Sequence, residues 1–392
     1  MLPVALNLAY RQLTHRWAKL TGTLLGVCVA IILMFTQVGF RNALYDSAVA
    51  IPQALDADLF IAGPTFHSWA DSPPWFARSL LFEAEGVSGT KRVTPLYSTA
   101  IQIASPDDGH SLSSFLLAFP AHAPTFLQAD INRHVQAITL PNRAIMDRLS
   151  RDDFSLISHQ VERKGAARII YLNAGDALRK ELEITQLFEL GPSFTIDGTI
   201  ITTELNFYRL TGIPLDRVGL GLVKVAEGYD PTVVKQAIQR KLGTRAKVFG
   251  KGEFMANERN YYATETPVGY IFQLGIVVGV LVGIVFISQA LHNIVQDNIK
   301  EYATLRAMGY QQKFFVMLVA SISLVISIVS YFPSVLVSWG VYTLAASATH
   351  LPLRMKAGDM ASIFFIVVVM GLVATLLAIR KLKNADPVDL FS

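Results

Sequence analysis

Cysteine occurs once in the 392 residues, at Cys28, so no disulfide within the chain can staple a domain. Any stable globular part must bury an apolar core of its own. Charge is scarce as well: 16% of residues are Asp, Glu, Lys or Arg, against about 25% in ordinary soluble domains, while 52% are hydrophobic. The shortage is local, because 20–40, 267–291, 314–349 and 360–379 hold no charged residue at all. A membrane-crossing helix needs about 20 apolar residues, and each run reaches that length. The expected fold class is therefore an α-helical membrane protein with four transmembrane helices, and a soluble enzyme is the weaker reading.

Chemistry-bearing motifs are missing too. A phosphate-binding loop needs a glycine-rich backbone followed by Lys and Ser/Thr, an order that neither Gly86-Val87-Ser88-Gly89-Thr90-Lys91 nor Gly250-Lys251-Gly252 supplies. The chain is not expected to bind or hydrolyse ATP, nor to hold any cofactor. No serine lies in a Gly-x-Ser-x-Gly elbow and the eight histidines are scattered without ligand spacing, so no catalytic residue and no metal ligand is expected. The pairs Asp107-Asp108 and Asp152-Asp153 read as solvated loop charges. The four apolar runs also lack the buried ionisable groups that mark a path for ions or polar solutes.

The net charge of +4 divides unevenly. Residues 41–266 carry 23 Lys/Arg and 25 Asp/Glu, so the positive excess flanks the apolar runs. That is the positive-inside pattern rather than a nucleic-acid patch, and no nucleic-acid partner is expected. Arg11, Arg16 and Lys19 precede the first run, Lys300, Arg306 and Lys313 lie in 292–313, and Arg380, Lys381 and Lys383 open the tail 380–392. These segments are expected on the cytoplasmic side of a bacterial inner membrane, with both termini there. The short loop 350–359 and the 226-residue segment 41–266 then lie outside.

A cleaved signal peptide is disfavoured, since its apolar core would be 21 residues where about 7–15 is usual. Leu25-Gly26-Val27-Cys28 is a poor lipoprotein box, because Val27 stands where a small residue is needed. Within 1–19, Leu6, Tyr10, Leu13 and Trp17, with Leu20 just beyond, recur at alternating four- and three-residue spacing. The spacing predicts an amphipathic helix on the inner leaflet, the alternative being a plain extension of the first span. The third run, 314–349, is too long for one crossing and too short for two, which predicts one long tilted helix with an outer extension, kinked at Pro333.

Segment 41–266 reads as a large α+β periplasmic domain of one or two subdomains, two being expected, large enough to bury their own core. Asp58–Ala62, Lys91–Ile103 and Phe194–Thr202 are strand-like, while Ser72-Pro73-Pro74 and Ser105–Gly109 read as exposed loops. One helix is well marked, with Asp230 as cap, Pro231 in the first turn, Val233–Leu242 unbroken and Gly243 at its end.

Two features carry candidate interactions. Gly22 and Gly26 in the first run, and Gly275, Gly279 and Gly283 in the second, recur at four-residue intervals and allow helix backbones to approach closely, inside one subunit or across a dimer. In 292–313, Val295, Ile299, Tyr302 and Leu305 share a helical face and Gly309 is placed to end the helix. Arg306 falls on that same face, where it either snorkels to lipid phosphates or meets a protein partner.

At Lys300-Glu301-Tyr302-Ala303-Thr304-Leu305-Arg306-Ala307-Met308-Gly309 the chain resembles the coupling segment of MacB/FtsX-type ABC transporter permeases, with Lys300 and Met308 as conservative departures. Ala385-Asp386-Pro387-Val388-Asp389-Leu390 resembles the family's closing element, and the order of one span, a large outer domain and three spans also matches. Ile32–Phe40 with Ala43–Ser47, and Ser193-Phe194 with Asp197-Gly198, resemble the DevC branch, the permeases of cyanobacterial DevBCA-type glycolipid exporters. The resemblance implies a homodimeric permease working with two copies of a cytosolic ABC ATPase that carries the ATP and Mg. It further implies a periplasmic membrane-fusion adaptor, an outer-membrane TolC-like channel and a lipid-like cargo, driven by mechanotransmission. Lys300, Glu301, Tyr302, Leu305, Arg306, Met308 and Gly309 become the implied ATPase-coupling residues. The alternative within the same fold is an FtsX-like scaffold that regulates a cell-wall hydrolase.

Overall fold

The computed structural model describes residues 17–69, 75–104, 109, 111–172, 180–191 and 197–383, with backbone alone for 17–20, 23, 152, 300 and 380–383. The expected amphipathic helix in 1–19 lies outside the described residues except for its last turn. The Ser72-Pro73-Pro74 loop, most of Ser105–Gly109, Ser193-Phe194 and the closing element Ala385–Leu390 also lie outside them.

The described chain divides into two compact units. The first holds four helices long and apolar enough to cross a membrane, within Trp17–Ala48, Pro267–Asp297, Gln312–Thr349 and Ala357–Lys383, hereafter the first to fourth spans. The first helix continues past the expected end at 40 and includes Arg41 and Asp46, because a backbone helix needs no apolar side chains once it has left the charge-free run. The third runs unbroken through Pro333. Its core gathers Ile31, Met34 and Phe35 of the first span, Ile287 and Leu291 of the second, Leu318 and Ile322 of the third, and Val367 and Met370 of the fourth.

The second unit, 43–266 together with 346–352, is a mixed α/β body. In chain order its elements are α1 (Ala50–Ala54), β1 (Leu59–Ala62), β2 (Phe76–Ala77), α2 (Ser79–Glu85), β3 (Thr90–Ala104), β4 (Ser111–Phe119), α3 (Ala129–Ala137), β5 (Arg143–Asp147), α4 (Ser155–Lys164), β6 (Ala167–Leu172), β7 (Lys180–Phe188), β8 (Gly198–Thr203), α5 (Glu204–Thr211), β9 (Arg217–Val218), β10 (Leu220–Val225), α6 (Pro231–Leu242), β11 (Lys247–Gly250) and α7 (Lys251–Thr264). The helix expected after Asp230 is α6, and the Asp230 side chain accepts a hydrogen bond from Thr232 N.

The long strand β3 serves two sheets at once. Its first half pairs with β10 in the antiparallel order β11-β1-β10-β3. The second half pairs with β4 on one edge, and Gln102–Ala104 pair with β6 on the other. Strands β3-β4-β8-β5-β7-β6 therefore close on themselves into a six-stranded barrel, which leaves those strands no free edge. Alternation along the strands sends Tyr97, Ile101, Leu116, Met146 and Ile200 into one core, and Phe115, Leu117, Phe119, Ile145 and Ile201 into another with Phe60 and Phe254. Both faces of β4 and β8 are thus covered, so neither strand shows the simple alternation of a half-buried strand.

Candidate functional site

The second span ends at Asp297, and a short helix, Ile299–Ala307, follows after Asn298. Asn298 closes the first helix by donating its side-chain amide to Ile294 O at 2.7 Å, and its own carbonyl accepts from Tyr302 N. The short helix stops in a Schellman arrangement. Tyr310 N donates to Leu305 O and Gly309 N to Arg306 O, and Gly309 has φ +91, a left-handed conformation that favours glycine. Helix end and helix start are thus both fixed by backbone geometry within a dozen residues.

Tyr302 is buried and meets Phe315 edge-on, with ring centroids 5.9 Å apart. Leu305 and Tyr310 pack on the same core, and Tyr310 lies 4.6 Å from the buried Phe314 ring. Glu301, Arg306 and Gly309 are exposed, and Met308 is 70% exposed. Arg306 is exposed although helical spacing sets it on the face of Tyr302, which is buried, and Leu305, which is partly so. Its guanidinium has no ion pair or hydrogen bond among the described residues. The backbone of Lys300 lies in the helix, but its side chain is outside the description. The surface therefore combines one carboxylate, one guanidinium and one thioether on a helix whose other side is anchored.

The glycines behave as close-approach positions inside one chain. A Cβ at Gly275 would lie 2.5 Å from Gln37 Cδ, and one at Gly279 would lie 2.7 Å from Met34 Cγ and 3.5 Å from Ala30 O. At Gly283 the obstacles are Met370 and Ala30, and at Gly26 the Phe286 ring, 2.5 Å away. At Gly22 a Cβ would meet nothing within 4 Å among the described residues. The second-span row is filled by the same chain's first and fourth spans, which accounts for it without a second copy.

In the larger unit the sequence reading missed two buried carboxylates. Glu258 of α7 is 1% exposed, and accepts from Ser68 Oγ at 2.7 Å and Trp69 N at 2.9 Å. Trp69 in turn donates its indole N–H to Ser98 Oγ at 3.0 Å. Asp147 at the end of β5 accepts from the N–H groups of Leu149, Leu190 and Gly191. Burial pushes Glu258 up to about 7 and Asp147 up to about 6, against donors that favour the anion. A signal for Glu258 existed, because Phe254, Glu258 and Tyr262 follow at four-residue spacing and all three are buried.

The sign of the pH effect follows. The folded chain keeps Glu258 protonated above the ordinary value of 4.5, where the unfolded chain releases the proton. The contribution of Glu258 to stability is then fully present below about 4.5 and falls as pH rises toward about 7, by at most about 1.4 kcal/mol per pH unit. Glu258→Gln keeps a neutral side chain that accepts from Trp69 N and donates to Ser68. Its thermal midpoint is expected to exceed that of the parent at about pH 8 and to match it at about pH 5. A midpoint lowered equally at both would show that the carboxylate itself holds the segment.

A cavity of about 270 Å³ between α2, β3 and the 120–124 loop is lined by Arg78, Phe82, Arg92 and His122, among others. Arg78 is engaged by Glu204 at 3.3 Å and Arg92 by Asp56 at 3.1 Å, so both guanidinium groups serve structural pairs. Among the described residues no three His, Cys, Asp or Glu side chains gather as metal ligands.

Residues 274–387 match the FtsX-like permease C-terminal family. That region begins within the second span and includes the short helix and the third and fourth spans. No curated protein sequence matches. Among solved structures, the periplasmic region of MacB from Actinobacillus actinomycetemcomitans is similar at 10% identity and TM-score 0.34, over 53% of this chain and 95% of that one. The extracellular domain of the noncanonic ABC-type transporter YknZ from Gram-positive bacteria aligns at 9% identity and TM-score 0.33, over 49% and 99%. A domain of a permease protein from Porphyromonas gingivalis aligns at 12% identity and TM-score 0.29, over 50% and 86%.

Proposed function

We propose that the chain is the permease subunit of an ATP-binding-cassette export system in a bacterial inner membrane, working as a homodimer with two copies of a separate cytosolic ATPase. The observation that carries this reading is the short helix Ile299–Ala307: anchored by Tyr302 and Leu305, terminated at Gly309, and presenting Glu301, Arg306 and Met308 outward within the region that matches the permease family. A rigid helix with a mixed charged and apolar outer face suits a cleft on a protein better than a lipid surface, which would take a continuous apolar stripe. Closure of the ATPase dimer would push on this helix and move the second and third spans, whose helices join it on either side. The larger unit, reached from the second span through α7, would then act on a periplasmic adaptor leading to a TolC-like outer-membrane channel. The charge-free spans favour a lipid-like cargo, a glycolipid in keeping with the DevC resemblance, taken up outside the membrane. ATP and Mg would bind the partner ATPase alone.

The test is to purify the full chain from its native membrane in mild detergent and identify what accompanies it. An ABC ATPase together with a membrane-fusion adaptor is the expected result. Recovery with a cell-wall hydrolase and no adaptor would replace the export reading with a signalling scaffold.

A further inference from the structure

The third span carries a polar face that its hydropathy conceals. Ser330, Ser334 and Ser338 follow at four-residue intervals and are fully buried. Ser334 Oγ shares its one proton between Ser330 O of its own helix at 2.6 Å and, more weakly, Cys28 O of the first span at 3.3 Å. Ser330 Oγ and Ser338 Oγ, one turn before and one turn after, have no partner among the described residues. Toward the fourth span the pattern repeats. Ser323 Oγ donates to Gly371 O at 2.7 Å, and Ser327, one turn on, is buried with its hydroxyl unpartnered. Gly371 is what permits this, because a Cβ there would lie 2.7 Å from Ser327 Oγ and 2.8 Å from Ser323 Oγ.

A four-residue interval is one helical turn, about 5.4 Å of travel. If the third span slides by that step toward its N-terminal end, Ser338 takes the place of Ser334 at Cys28 O. The same slide brings Ser327 to the place of Ser323 at Gly371 O. Sliding the other way brings Ser330 to Cys28 O but puts Val319 opposite Gly371 O, which loses its donor. Two seams against two different helices thus agree on one direction. Each supplies a hydroxyl that lacks a partner now and has an acceptor after the step.

We propose that the third span has two hydrogen-bonded registers against the first and fourth spans, separated by one turn, with Ser338 and Ser327 as the donors of the second. Packed helices that move in discrete turns behave as a bistable element rather than a deformable one. Two tyrosines hold the present register: Tyr342 donates to Phe35 O, and Tyr331 donates to Met360 O at 2.8 Å. Both bonds break on sliding, so the second register is the minor state at rest and must be driven. On the permease reading above, the drive is ATPase closure acting through the short helix that precedes this span.

The single native cysteine makes the step measurable. Cys28 Sγ meets Ser330 O at 3.4 Å, and Ser334 Oγ lies 2.6 Å from that same carbonyl and 3.3 Å from Cys28 O, so in the present register a cysteine at 334 lies beside Cys28. After the slide, position 338 takes that place. Ser334→Cys and Ser338→Cys are each made in the otherwise native chain, and cross-linking to Cys28 by a short bifunctional thiol reagent is followed in lipid vesicles and in membranes holding the whole assembly. In vesicles of purified chain the 334 pair is expected to dominate, with a minor 338 pair that rises severalfold when Tyr342→Phe and Tyr331→Phe remove the holding bonds. No 338 product with or without those substitutions overturns the two registers and leaves the serine hydroxyls serving only their own helix. In whole membranes, trapping with ATP and vanadate is expected to move the yield from 334 to 338. A slide present in vesicles but indifferent to nucleotide would overturn the ATPase coupling while leaving the registers standing.

Discussion

Gly279→Leu is expected to prevent recovery of a folded chain, while Leu281→Ala, two residues further along the same helix, leaves it intact. Gly279 is buried where the second span crosses the first, and even one added carbon would meet Met34 Cγ at 2.7 Å. Met34 is itself fully buried and cannot swing away, and behind it stand backbone atoms, Ala30 O at 3.5 Å and Met34 N at 3.7 Å. Leucine adds four carbons, so the two helices must separate along the glycine row and surrender the Met34 and Ala30 contacts on both sides. Overpacking by single methylenes costs roughly 1–3 kcal/mol, and a four-carbon insertion against backbone is expected to exceed about 3 kcal/mol, a large part of a typical stability. Leu281 is 58% exposed in the second span, and its truncation removes no intrachain packing of comparable weight. Size-exclusion profiles of the detergent-solubilised variants decide the matter. A Gly279→Leu chain that elutes and melts like the parent would reduce the glycine row to composition.

The second large effect is expected from Arg306→Ala. The exposed guanidinium has no partner within its own chain among the described residues, so its removal leaves the short helix and its Schellman end unaltered. Bound in an ATPase cleft, the same group would be desolvated against an acidic or carbonyl partner, and its loss would leave that partner unpaired at about 2–5 kcal/mol. Against lipid or water the contribution would be about 0–1 kcal/mol. The variant should insert and fold normally, yet lose the ATPase on purification or hydrolyse ATP without export. Lys313→Ala, at the start of the third span, serves as the surface control. Equal behaviour of the two variants would return Arg306 to a lipid-facing role.

The membrane spans were legible because charge is costly in a bilayer, so four charge-free runs announce themselves. Their ends were not, since Arg41 and Asp46 continue the first helix where hydropathy has already stopped. The stop at Gly309 was readable from glycine after an apolar-periodic stretch, and the left-handed φ there is its physical cause. Arg306 lies by helical spacing on the stripe of Tyr302 and is nonetheless exposed, since burying an unpaired guanidinium is costly. The barrel was hidden for a different reason. Its closure depends on Gln102–Ala104 meeting residues 170–172, and no local pattern encodes a pairing across that separation. Serine is nearly neutral in hydropathy, so the row from Ser323 to Ser338 passed as part of an apolar run, although its three- and four-residue intervals were there to be counted.

The proposed contact with an ATPase is tested most directly at Met308, the most exposed of the apolar side chains in 300–309. In a Cys28→Ser background, Met308→Cys provides a single thiol at the end of the short helix, and cross-linking in native membranes asks what lies against it. The expected result is one adduct with an ABC ATPase, its yield changing when ATP is added or trapped, while a cysteine at the exposed Leu281 gives none. Failure of the 308 thiol to capture any nucleotide-binding protein, in membranes where the chain is folded and inserted, would contradict the assignment of this chain as an ATPase-driven permease.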